Sequence, residues 1–217
     1  MKTRISPTRN LGAGILKFAS IALLIIFEIV LIWPENLLAK PNSPDRPYYH
    51  LPPEMKKGDL VFAGSRIPLE RHEVKARIEE QINYLLMDRR ATLWEVLERM
   101  SSVGPLISAT LSEEKLPVDL LYLSASLSDL SATSKTKSGG QGWWNLGSLK
   151  NSGQSWSTSN EWDDRRDPVI STKLASGIFN QLRAKNPKFD WLFSIAAFVD
   201  GPDKIEHILK KNPGFGF

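Results

Sequence analysis

The strongest constraint on this 217-residue chain is the run FASIALLIIFEIVLIW at 18–33, in which only Ser20 and Glu28 interrupt apolar character. It divides the chain into a part suited to lipid and a part that must fold in water. Counted from Leu11, with Lys17 reaching back to the interface, 11–33 attains the roughly 20 residues that a bilayer requires. Lys2, Arg4, Arg9 and Lys17 precede the apolar run, and no basic residue follows it immediately. The positive-inside tendency then leaves the tail 1–10 in the cytoplasm and sends the remainder outside. A single uncleaved span is expected. The competing reading is a cleaved signal peptide ending at Ala39, but the apolar run is long for one, and Leu37–Leu38–Ala39 lacks a small-x-small pattern. Glu28, charged at mid-membrane, would cost about 2.5–3.5 kcal/mol, so protonation, an interfacial position or a partner span is expected for it.

Residues 34–57 carry prolines at 34, 41, 44, 47, 52 and 53. Prolines this dense stop a helix and favour extended chain, so a semi-rigid spacer is predicted. From 58 to 217 the pattern changes to that of one folded domain. GDLVFAGSRIPL, at 58–69, is short and β-like, after which helical periodicity takes over. Val74, Ile78, Ile82 and Leu85 mark one apolar face, and Leu93, Val96, Leu97 and Met100 mark another. Thr92 is expected to cap the second helix, and Pro105 and Pro117 to open the next two. Asp167–Pro168 predicts a further helix start, Asp190 another and Pro202 a last short one. A mainly α-helical domain with a long loop over about 137–166 is expected.

Charge and rare residues narrow the chemistry. The net charge of +4 is small and scattered, which reads as a solvated basic surface; no nucleic-acid partner is expected. With no cysteine, disulfides, thiolate metal sites and a cysteine nucleophile are excluded. His50, His72 and His207 match no metal-ligand spacing, and Gly139–Gly140 lacks the lysine and flanking strand of a phosphate-cradling loop. No metal or cofactor is expected. Ser124, Ser126, Ser128 and Ser131 have no nearby histidine to activate a nucleophile.

Three segments, in order, carry a resemblance. EEKLPVDLLYLSASLSDLSATS, at 113–134, runs into GGQGWWN, at 139–145; WDDRRDPVISTKLASGIF follows at 162–179, and DWLFSIAAFVDGPDKI at 190–205. They resemble the catalytic region of the membrane-bound lytic murein transglycosylases of the D type, over roughly 58–212. That resemblance implies a lysozyme-like helical domain of the SLT kind with a glycan cleft. It also implies a place in the bacterial cell envelope, on the periplasmic side of the cytoplasmic membrane.

In active members one glutamate protonates the glycosidic oxygen, and its carboxylate then helps the sugar's own C6 hydroxyl close an anhydro ring. Anchored on Leu116 and Pro117, that glutamate falls on Leu127, which can neither give nor take a proton. The family's neighbouring serine falls on Ser128, and its tryptophan and glutamine fall on Trp144 and Asn145. Its tyrosine and asparagine fall on the apolar Phe198 and Val199. The loss of general acid–base assistance, typically worth 10² to 10⁴ in rate, implies a pseudoenzyme.

The alternative is an active lyase with Asp129 as a relocated acid. Two residues beyond Leu127, Asp129 is turned about 200° away on a helix, and a turn or capping role is the competing reading for it. If glycan still binds, Ser128, Trp143, Trp144, Asn145 and Phe198 are the expected contacts, with Trp156 and Trp162 beside them. The last residues extend only sixteen beyond Gly201, so the resemblance implies a cleft open on one side. Peptidoglycan strands and an envelope protein complex are the two partner classes expected.

Overall fold

The computed structural model describes residues 50–51, 60–147, 155–159, 161–187 and 190–211. The span expected at 11–33 and nearly all of the spacer lie outside them. Among the described residues no helix is long and apolar enough to cross a membrane.

The domain opens with a two-stranded hairpin, β1 (Val61–Phe62) against β2 (Ser65–Arg66), with Phe62 opposite Ser65. The two residues between the strands, Ala63 and Gly64, both have positive φ (48° and 81°), the requirement of a tight turn matched to strand twist. Alanine is held there by the Asp119 carboxylate, whose Oδ2 accepts from Ala63 N at 3.0 Å.

Helix α1 (His72–Asn83) buries Ile78 and Ile82 and runs into a π turn at Tyr84–Asp88. Helix α2 (Arg90–Glu113) follows directly and is the longest element, about 36 Å from end to end. It differs from the expectation in two ways. Thr92 lies inside the first turn and caps nothing, because Arg89 is the N-cap and the chain enters the helix from the preceding π turn. Pro105 lies mid-helix and does not open a new one. Proline removes one N–H, but Pro105 is on the exposed face. The buried stripe Val96, Val103, Ile107 and Leu111 continues past it and holds the helix together. Each such fully buried aliphatic side chain contributes about 1.5–3 kcal/mol.

A short turn in which the Pro117 carbonyl accepts from Leu120 N leads into α3 (Leu120–Ser128), so Pro117 precedes that helix by a turn. Helix α4 (Pro168–Lys185) begins as predicted: the Asp167 carboxylate accepts from Val169 N at 2.9 Å and Ile170 N at 2.7 Å, with Pro168 in the first turn. Helix α5 (Trp191–Asp200) is capped by Asp190, which accepts from Phe193 N at 2.9 Å, and α6 (Pro202–Lys211) starts at the expected proline. Helix α2 packs on both α3 and α4, α4 on α5, and α5 on α6. The core lies between them, around Ile107, Leu111, Leu120, Leu123, Phe179 and Ile195.

The segment predicted as loop is tied by single-residue bridges pairing Gln141 with both Lys135 and Leu146, and Thr158 with Asp163. It ends in a 3-10 turn at Asp164–Arg166. A β-carbon at Gly140, Gly142 or Gly147 would run into backbone, most severely at Gly142. At Gly142, φ is 75°, and a β-carbon would lie 1.8 Å from the Arg165 carbonyl oxygen. At Gly139, φ is 89°, but nothing lies within 4 Å of an added β-carbon.

Gly142→Ala is therefore expected to lose more than about 4 kcal/mol, against about 1–2 kcal/mol for Gly139→Ala, which meets backbone strain alone. Asp167→Ala, which removes a cap, is expected to lose about 1 kcal/mol. Urea unfolding followed by tryptophan fluorescence ranks the three, and equal losses for the two glycine variants would contradict the contact at Arg165.

Candidate functional site

Helix α3 carries the position where the resemblance puts an acid. Its small residues let the neighbouring segment approach: Ser124 is fully buried and donates its hydroxyl to the Trp143 carbonyl at 2.8 Å. Ser128, also buried, turns inward and donates to the Ser124 carbonyl at 2.9 Å. Leu127 is partly buried against the hydrophobic core, in the same cluster as Phe198 and Val199. Its carbonyl, one of those left over at a helix C-terminus, accepts from the Asn145 amide Nδ2. The Asn145 Oδ1 in turn accepts from Ser134 Oγ at 3.0 Å. Both ends of the Asn145 amide are thus engaged within the protein.

Asp129 follows the helix as its left-handed C-cap (φ 52°, ψ 29°). Its carboxylate accepts from the Arg89 guanidinium at 3.0 Å, and its carbonyl accepts from Arg99 at 3.0 Å. It therefore anchors the end of α3 to the start of α2, in the turn role expected for it, with a cation beside the carboxylate.

Trp144 is 1% exposed, and its Nε1 donates to Thr172 Oγ1 at 3.0 Å. Its ring stands edge-on to Phe179 and Phe198, which stack with centroids 4.5 Å apart. Such pairs add about 0.5–1.5 kcal/mol beyond the area they bury. Ser128, Trp144 and Phe198, three of the residues expected to contact glycan, are all buried. Between Trp144, Asn145, Trp156 and Phe198 the remaining void is about 10 Å³, room for about one water and far below the several hundred Å³ of a ligand pocket. Trp143 is half-buried, with Nε1 donating to the Arg166 carbonyl at 2.6 Å.

The centre of the loop is Arg165, whose role no local sequence pattern marks. Its guanidinium grips the Asp163 carboxylate through Nε (2.9 Å) and Nη2 (2.8 Å), reaches the Leu146 carbonyl at 3.3 Å, and lies 5.6 Å from the centre of the Trp156 ring. Those hydrogen bonds hold the Asp163 carboxyl below the usual carboxylate range, overcoming the opposing effect of burial. Outside this pair opens a groove of about 490 Å³, bordered by Gln141, Thr158, Ser159, Glu161, Trp162 and Arg166. Trp162 is 53% exposed, with its Nε1 fixed by the Asp164 carboxylate at 2.6 Å. Of the four loop tryptophans it alone is mostly open to solvent.

Among the described residues no group of three or more His, Asp or Glu side chains is placed to hold a metal ion. No family model, curated protein or solved structure matches the chain.

The Asp163–Arg165 pair carries an acid-sensitivity prediction. Because the folded-state pKa of Asp163 is depressed, its stabilisation is complete above the unfolded value of about 3.9 and disappears as pH falls through the folded one. Asp163→Asn is expected to lose about 3–5 kcal/mol at pH 7, since it strands a guanidinium only 10% exposed. The gap between variant and parent should then narrow below pH 4. Urea midpoints at pH 7 and pH 3 measure both, and a pH-independent gap would contradict the pairing.

Proposed function

We propose that this protein is a catalytically silent, lytic-transglycosylase-like protein of the bacterial cell envelope, which works by binding. Residues 11–33 anchor it in the cytoplasmic membrane, and its lysozyme-like domain lies on the periplasmic side. The observation that carries this reading is the state of position 127. A leucine sits there against the core, and the amide at 145 that would face a reacting group is spent on the Leu127 carbonyl. Phe198 and Val199 offer no hydrogen bonds, and the space beside Phe198 is filled. Asp129, the other acid considered, is held by Arg89.

The ligand we assign is a peptidoglycan strand, held along the groove beside Trp162. An exposed indole supplies the flat apolar surface on which a sugar ring stacks, and Thr158, Ser159, Glu161 and Arg166 supply hydroxyl, carboxylate and guanidinium groups around it. A mixture of both charge signs suits a neutral or zwitterionic glycan better than a polyanion.

The test is retention on isolated sacculi by the full-length protein in detergent. Binding without release of anhydro-muropeptides is expected, and Trp162→Ala should weaken retention about five- to tenfold. Leu127→Glu should release no product, because the supporting polar groups are absent as well. Anhydro-muropeptide release that disappears in Asp129→Asn would establish the active alternative. Negligible retention of the parent protein would favour a scaffold for an envelope protein complex.

A further inference from the structure

We propose that the corner between α1 and α2 is a membrane-contacting surface that docks the domain onto the bilayer in which its own anchor sits. Seven large apolar side chains are exposed among the described residues, and three of them, Tyr84, Met87 and Trp94, fall on this one corner. Trp94, at 70%, is the most exposed of the seven. They stay exposed, although the same stretch keeps Ile82 and Val96 in the core. Tryptophan and tyrosine favour the boundary between headgroups and acyl chains, where an amphipathic ring satisfies both sides. Arg90, exposed beside them, suits a phosphate headgroup.

The occupant follows from where the tether joins the domain, a step that rests on the proposal that 11–33 is the anchor. Leu51 N donates to the Glu79 carboxylate at 2.9 Å, and the His50 ring lies 3.3 Å from the same group. Glu79 is buried on α1 and lies about two helical turns, ~12 Å, before Met87. The chain arriving from the bilayer is thus pinned close to the apolar corner. The spacer between 33 and 50 reaches about 50 Å in a polyproline-like conformation. Its attachment on this side of the domain leaves the corner within reach of the bilayer.

The absence of native cysteine makes the test direct. Met87→Cys, Ser112→Cys and Leu23→Cys, each in the full-length chain, are labelled with an environment-sensitive nitrobenzoxadiazole dye and reconstituted into phosphatidylethanolamine–phosphatidylglycerol vesicles. Ser112 is exposed at the far end of α2, about 27 Å from Trp94. Quenching by doxyl-labelled lipid is compared with quenching by aqueous iodide. The label at 87 is expected to be quenched at least threefold more by lipid than the label at 112, and Trp94→Ser should reduce that difference. A label at 87 as open to iodide as the one at 112, with 23 lipid-buried, would overturn docking while leaving the anchor in place. An aqueous label at 23 would remove the anchor, and docking with it. A label at 87 shielded from both quenchers would make the corner a contact between copies of the chain and also overturn the proposal.

Discussion

A guanidinium that is almost wholly buried has to be paired, and the arrangement around Arg165 organises much of this domain. Its fork closes on Asp163, its carbonyl presses on Gly142, and a further N–H reaches the Leu146 carbonyl. A long connection is thereby fastened at its two ends. Once Gly142 is seated, Trp143 and Trp144 have no freedom of direction: one ring lies along the 3-10 turn and the other enters the core against Phe179 and Phe198. The aromatic stack then joins α4 to α5. The penalty for breaking any part of this set is large because each polar member is satisfied by another member and has little access to water.

The polar groups around α3 are likewise engaged within the fold. Ser124 and Ser128 bond within the fold, the Asn145 amide bridges Leu127 to Ser134, and Asp129 ties α3 to α2 through two arginines. What remains open is displaced to the loop around Trp162 and to the corner at Trp94, both on the periphery.

Helix starts were legible where the signal is local. Asp167 and Asp190 sit at real N-termini because a cap bonds to N–H groups two or three residues away, within the reach of sequence spacing, and Pro202 because a first-turn proline has no intrahelical N–H bond to lose. Pro105 and Thr92 misled for the opposite reason. Whether a proline ends a helix depends on whether the carbonyl it leaves without a donor, four residues earlier, faces water and whether a buried stripe spans it, and both are settled by what packs on the other side. In the candidate site, the apolar character of position 127 was readable, whereas the burial of Ser128, Trp144 and Phe198 was not. Aromatic and serine residues have the same sequence appearance in a core as in a cleft.

The sequence alone determined the helical character of the domain, the points at which several helices begin, and the absence of a proton-transferring group at position 127. Those properties follow from side-chain chemistry and short-range spacing. Tertiary structure alone decided that α2 runs unbroken through Pro105, that Trp144 and Phe198 are core, that Asp129 is an anchor, and that Trp162 and Trp94 are the open aromatic faces. Burial and pairing are properties of contacts between distant segments, and no local pattern in the chain contains them.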